Sequence, residues 1–195
     1  QKIMVELYEK FFKTAFPLTV ARLGIVYTPI EVVDFINNSV ADLLKKEFGR
    51  SLSDENVHVL DPFTGTGTFI TRMIQSGLIN RDALPRKYRQ ELHANEIVLL
   101  AYYIASVNIE NSYHATVGEK TQYVPFNGIC LTDTFQLGEN ADENALYTPA
   151  LKQNSERVQA QQKAPIQVII GNPPYIRVQN MVHYSKEEYN FYKSN

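Results

Sequence analysis

Residues 57–69 constrain the fold of this chain more than any others. Val57-His58-Val59-Leu60 is a short apolar run of the kind that forms a buried strand. It passes without a break into Asp61-Pro62-Phe63-Thr64-Gly65-Thr66-Gly67-Thr68-Phe69. Ile70, Met73 and Ile74 then recur at helical spacing up to Gly77. Strand, glycine-rich turn and helix form the cofactor-binding opening of a Rossmann-like unit, in which the glycines let the backbone approach a ligand. The turn is not the dinucleotide fingerprint, because Ile70 stands where the third glycine would be. Nor is it a phosphate loop, since no Gly-Lys-Ser/Thr follows. Asp61 puts a carboxylate where a phosphate cradle would be. That favours a ligand with a cationic amino group over NAD or ATP.

Three more strands are expected. Beyond a basic stretch (Arg81, Arg86, Lys87, Arg89), Leu92–Glu96 reads as the second, again ending in a carboxylate. Residues 97–107 are nearly all apolar and predict a long helix buried against the sheet. Gly128–Phe135 reads as the third strand, carrying Asp133 with a ring two residues on. Residues 136–164 turn polar and include an exposed helix over 150–163. Ile166–Ile170 is the fourth strand, read as buried, and it delivers Gly171-Asn172-Pro173-Pro174-Tyr175. Two prolines remove two backbone donors and fix two φ angles near about −65°, and Asn172 before them is pushed towards an extended conformation. The result is a rigid, acceptor-rich tip at a strand end.

Ahead of the first strand, residues 1–16 carry a wide apolar stripe at helical spacing. Tyr27-Thr28-Pro29 precedes a second helix, with Thr28 as cap, Glu31 completing a capping box, and a stop at Gly49. A helix start there suits a carboxylate. The 195 residues suffice for one domain with a real core, and the formal net charge of −2 gives no overall basic field for nucleic acid. The single cysteine, Cys130, is expected as a core thiol and fits a reducing, cytoplasmic setting. His93 and His114 have no ligand-spaced partners, so no metal site is expected, and no apolar run approaches the ~20 residues of a membrane span. The chain begins without Met and ends at Tyr192-Lys193-Ser194-Asn195, which reads as a piece of something longer.

Crossover helices between the four strands make them parallel, with their carboxyl ends on one edge. A ligand laid across that edge meets Asp61 and the Gly65–Gly67 turn at an amino acid moiety, Glu96 at a ribose and Asp133 near a base. Amino acid, ribose and purine in that order describe S-adenosylmethionine.

The order Tyr27-Thr28-Pro29, Asp61–Phe69, Asn95-Glu96, Asp133-Thr134-Phe135, Asn172-Pro173-Pro174-Tyr175 resembles the S-adenosylmethionine-dependent N6-adenine DNA methyltransferases of restriction–modification systems. It matches their gamma arrangement over roughly residues 22–180. The large combined helicase–methyltransferase restriction enzymes carry modules that look like this one. The resemblance implies an α/β, Rossmann-like class I methyltransferase fold with a mostly parallel sheet, helices on both faces and an N-terminal helical element over 1–20. It makes 21–195 the catalytic domain, without its later motifs and target-recognition region. It implies S-adenosylmethionine bound by Tyr27, Thr28, Pro29, Asp61, Phe63, Thr64, Gly65, Gly67, Glu96, Asp133, Phe135 and Asn172. Asn172 and the Pro173 carbonyl would hold the adenine amino group, with Pro174 and Tyr175 completing the catalytic motif and Tyr175 stacking on a flipped base. The implied partners are double-stranded DNA, through parts largely outside this sequence, and helicase or nuclease modules of the same polypeptide. The same tetrapeptide also serves enzymes that methylate protein glutamine, RNA amines or cytosine N4. A non-catalytic cofactor-binding module of a larger assembly is a further reading.

Overall fold

The computed structural model of the chain describes residues 14, 28–118, 122–135 and 149–174. The chain divides into two compact units, Thr28–Asn172 and a second that joins Gln1–Tyr27 to Pro173–Asn195. Of the second unit the described residues are Thr14, which is helical, Pro173 and Pro174. The expected helix over 1–16, Tyr27 and Tyr175 otherwise lie outside the described residues.

Among the described residues the larger unit is built on four strands, β1 (His58–Asp61), β2 (Leu92–Glu96), β3 (Ile129–Leu131) and β4 (Ile166–Ile169), in the order β3-β2-β1-β4. Every pairing is parallel, with Asp61 opposite Ala94, Glu96 opposite Leu131 and Leu60 opposite Ile169. The chain starts at β1, builds outward to β3, then returns to the far side of β1. Strand order therefore reverses between β1 and β4, and the carboxyl edge at such a switch point is where open α/β sheets bind ligands.

The helices are α1 (Ile30–Phe48), α2 (Thr68–Gln75), α3 (Leu84–Arg86, continuing as a π-helical turn over Lys87–Glu91), α4 (Leu99–Val117) and α5 (Pro149–Gln162). Right-handed crossovers put α2 and α4 on one face and α5 on the other. On the first face Val59, Leu92, Ala94 and Ile129 form one core with Phe69, Ile70 and Met73 of α2 and Ala105 and Ile109 of α4. Cys130 is buried, and burial raises its thiol pKa to about 11, as a core thiol should behave. No helix among the described residues is long and apolar enough to cross a membrane.

Four sequence expectations need correction. Helix α4 buries one face, the apolar stripe Ala101, Ala105, Ile109 and Tyr113 with Asn108 and Ser112 beside it, while Leu99, Leu100, Tyr103 and Val107 are exposed. One helix face meets one layer, however apolar the others are. Strand β3 ends at Leu131, so Asp133 sits in the turn beyond it. Strand β4 is an edge among the described strands, and Ile169 is 70% exposed. No side chain caps α1, whose boundary residue is Pro29. Thr28 is engaged elsewhere.

Two connections fix α1 against α2. Arg72 on α2 grips Asp34 on α1 through Nε to Oδ1 (2.8 Å) and Nη2 to Oδ2 (2.7 Å), and buried Asn37 donates from Nδ2 to the Phe69 carbonyl at 3.1 Å. The outer edge of β3 is also closed. Asn154 on α5 accepts the Leu131 N–H (2.8 Å) and donates to the Leu131 carbonyl (2.9 Å), standing in for a neighbouring strand.

The basic stretch is partly interior. Lys87 is 0% exposed, and its Nζ donates to the Val57 carbonyl and pairs with Glu91, both at 2.7 Å. Glu91 also accepts from Asn56 N–H and Arg86. Removing one partner of a buried ion cluster strands the other in a dry site. Lys87→Ala is therefore expected to lower stability by about 3–5 kcal/mol in denaturant unfolding, with Lys87→Met/Glu91→Leu costing far less. An equal loss in both variants would place the energy in packing instead.

Candidate cofactor and catalytic site

Asp61 closes β1 at the switch point and is 0% exposed. Its Oδ1 accepts the Phe63 amide at 3.1 Å, and Oδ2 has no partner. Burial pushes this carboxyl up to about 7; the Phe63 hydrogen bond opposes the rise and the Glu96 charge adds to it. An unpartnered carboxylate oxygen in a dry site is costly unless a cation meets it.

The turn after Asp61 is clamped from three sides. Thr64 donates its N–H to the Asn95 carbonyl and its hydroxyl to the Asp61 carbonyl, both at 2.9 Å, while Gly67 N–H returns to the Thr64 carbonyl at 2.9 Å. Asn108 on α4 holds the Thr66 carbonyl at 2.9 Å. Gly65 and Gly67 have φ values of 57° and 83°, and a Cβ at Gly67 would lie 3.2 Å from the Ala105 backbone. The turn thus brings the start of α2 close to the carboxyl edge.

Glu96 at the end of β2 braces this turn. Its Oε2 accepts Gly65 N–H and its Oε1 accepts Val98 N–H, both at 2.8 Å. Burial raises its carboxyl above the usual range against these hydrogen bonds. Beside it, buried Asn95 donates from Nδ2 to Thr134 Oγ1 at 3.2 Å, and its Oδ1 has no partner. Thr134 Oγ1 in turn donates to the Pro62 carbonyl at 2.7 Å, tying the loop after β3 to the glycine turn. Asp133 accepts Phe135 N–H at 3.0 Å in an Asx turn, and Phe135 meets Phe63 with ring centroids 5.2 Å apart. Phe135 is 59% exposed, so this aromatic wall opens to solvent.

Across the switch point, Ile170 N–H donates to the Leu60 carbonyl at 3.0 Å, which holds the loop after β4 against β1. Gly171 lies so near Asp61 that a Cβ on it would sit 2.7 Å from Oδ1. Only glycine passes there. Asn172 follows at once, and its Nδ2 donates to Thr28 Oγ1 at 3.0 Å. That bond fixes the amide plane and makes Oδ1 its acceptor half.

Of the residues singled out in the sequence, Asp61, Gly65, Gly67 and Glu96 meet in one constellation, with Gly171 and Asn172 brought against it and Thr28 against Asn172. Phe63 and Phe135 form one wall. Thr64 faces inward and shapes the turn. Asn95, Asn108 and Thr134 act as braces that the sequence pattern did not single out as site residues, apart from Asn95 and Thr134 as motif neighbours. An asparagine inside an apolar strand or helix was the one available signal for Asn95 and Asn108. The buried, unpartnered oxygens of Asp61 and Asn95, the glycine turn and the aromatic wall together fit a ligand carrying an ammonium, hydroxyls and a flat ring.

A parallel sheet whose switch point holds a carboxylate-tipped glycine turn, with Gly171 and Asn172 packed against it, defines a Rossmann-like methyltransferase fold. The chain belongs to the N-6 DNA methylase family, whose profile matches residues 1–192. Among curated protein sequences none matches it. In structure it is similar to a nuclease-deletion mutant of the Type ISP restriction-modification enzyme LlaGI in complex with a DNA substrate mimic. The identity is 54%, over 90% of this chain and 14% of that one, with a TM-score of 0.77. It is also similar to the ATP-dependent Type ISP restriction-modification enzyme LlaBIII bound to DNA (52% identity, 96% of this chain, 13% of that one, TM-score 0.79). A third likeness is to DrdV in its DNA complex (43% identity, 87% of this chain, 16% of that one, TM-score 0.76). The chain thus spans a small fraction of each of these proteins.

Proposed function

We propose that this chain is the cofactor-binding and catalytic part of an S-adenosylmethionine-dependent enzyme that methylates the N6 amino group of adenine in DNA, within a restriction–modification protein. The observation that carries the reading is the packing of Gly171 on Asp61. It sets Asn172 one residue on from the contact with Asp61, the carboxylate suited to the cofactor's amino group. S-adenosylmethionine, when bound, supplies an electrophilic sulfonium methyl.

In this reading Asp61 Oδ2 accepts from the methionyl ammonium. The glycine turn, held by Glu96, lets that end lie close to the backbone, and the remaining lone pairs of Glu96 serve the ribose hydroxyls. Asp133 and the Phe63–Phe135 wall take the base. The adenine amino group has a lone pair that conjugates into the ring. Asn172 Oδ1 and the next acceptor in the chain, the Pro173 carbonyl, draw hydrogen bonds from its two protons, turn the lone pair out of the ring and aim it at the methyl. The gain is positioning and fixed dipoles rather than full deprotonation. Tyr175 stacks on the extruded base. The Type ISP relatives, one bound to DNA and one in complex with a DNA substrate mimic, support DNA as substrate and further modules of the same polypeptide as partners.

The test is transfer of tritiated methyl from S-adenosylmethionine to duplex DNA by the intact protein, followed by nucleoside analysis. Label is expected in N6-methyladenine. Label in cytosine, RNA or protein in its place would overturn the substrate assignment.

A further inference from the structure

The amino ends of the strands, on the opposite edge from the site above, carry a second constellation. His58 at the start of β1 and His93 on β2 stack with ring centroids 5.3 Å apart and share one hydrogen bond, Nδ1 to Nε2 at 3.0 Å. They line a cavity of about 410 Å³ whose other walls include Arg89 in the π-helical turn of α3, Arg157 and Gln161 on α5, and Lys163 just beyond it. Among the described residues no Asp or Glu lines it, although the whole chain carries a net charge of −2. Gln161 is 7% exposed, yet its Nε2 donor has no partner, and neither has Arg157 Nε. Arg157 Nη2 is held by the Tyr102 hydroxyl at 2.9 Å, which fixes the guanidinium in place.

Three cations, a stranded amide donor and a histidine pair converge on one concavity with no carboxylate among its walls. Stranded donors in a buried setting cost free energy unless an acceptor meets them. The volume is in the range of small-ligand sites rather than of a groove for a duplex. Strand length sets it on the order of 10–15 Å from the carboxyl edge, so it is separate from the methyl-transfer site. We propose that this cavity binds a small phosphate-bearing ligand, with Arg157, Gln161 Nε2, Arg89 and Lys163 as donors to the phosphate.

The histidines add a pH dependence. Burial lowers the pKa of both, to about 4 for His93, where the His58 charge adds to the fall. Glu91 acts on both in the raising direction, while Lys87 and Arg86 lower that of His58. On the open side Arg89, Arg157 and Lys163 face the pair. A phosphate among these cations favours the protonated pair, so binding takes up a proton and tightens as pH falls.

Calorimetric titration of the intact protein with inorganic pyrophosphate tests the site. Binding is expected, several-fold tighter at pH 6 than at pH 8. It should weaken by roughly tenfold in Arg89→Gln/Lys163→Gln, whose side chains are exposed, and similarly in Gln161→Leu, with methyl transfer unchanged in the double variant. No heat of binding at about 20 mM pyrophosphate, or equal affinity in wild type and both variants, would overturn the site. If duplex DNA affinity falls in the same variants and pyrophosphate competes with DNA, the donors serve backbone phosphates and the small-ligand assignment fails.

Discussion

Asn172→Ala is expected to cut methyl transfer by about 10²–10³-fold or more, while cofactor affinity changes by less than about threefold. On the proposed mechanism the loss falls on kcat, because the amide would meet the target nitrogen rather than the donor, and truncation removes both an acceptor and the orientation it imposes. Thr28 sharpens the test. Its Oγ1 accepts Nδ2 of Asn172 at 3.0 Å, so Thr28→Val frees the amide to rotate without removing it. A fall of about tenfold in kcat with an unchanged cofactor Kd, restored by Thr28→Ser, is the signature of a positioning residue. A raised cofactor Kd with kcat intact would place Thr28 on the donor side, the role the family resemblance implies. Full turnover in Asn172→Ala would remove this amide from the reaction.

The difference between Thr28 as helix cap and Thr28 as amide anchor shows where sequence reading stops. Thr-Pro with Glu three residues on is a local pattern, and local patterns predict local partners. The partner that wins lies 144 positions away. By contrast, Asp61, the glycine turn and Glu96 are legible because strand, turn and helix follow one another in the chain, and the parallel order follows from crossovers alone. β2 runs over the expected residues, Leu92–Glu96, since it is buried along its whole length and its ends are set by polar residues. β4 looked equally buried from its apolar run, yet Ile169 is exposed. Hydrophobicity records that a strand is made to be covered, not which segment covers it. Gly171 read as the end of a strand, and its real constraint is the Asp61 carboxylate 2.7 Å from a would-be Cβ. The His58–His93 pair, 35 residues apart, carried no sequence signal beyond two histidines on neighbouring strands.

Cofactor affinity is expected to strengthen close to tenfold between pH 6 and pH 7.5, and Asp61→Asn should bind weakly with a flat profile. Burial raises the Asp61 carboxyl from an ordinary 3.8 to about 7, so at pH 6 only about a tenth of it is ionised. An ammonium ligand needs the ionised form, and below pH 7 its binding must expel the proton. Above about pH 7.5 an α-amino group starts to lose its own proton, which sets the upper limit of the rise. Thermal stability is the poorer readout, because two groups oppose each other. The folded state keeps the Asp61 proton that the unfolded chain releases above 3.8, so this contribution is complete at low pH and fades as pH climbs through about 7. By linkage the change is roughly 4 kcal/mol. His93 falls from 6.5 to about 4, so its contribution is complete above 6.5 and is lost as pH drops through about 4, roughly 3 kcal/mol in the other direction. A melt between about pH 4 and pH 7 nearly cancels them, whereas a binding isotherm leaves His93 out. Asp61→Asn uncovers the balance, since it deletes the buried charge and should raise stability above pH 7 while cofactor binding weakens. A pH-independent wild-type affinity over this range would mean that the ammonium does not meet Asp61.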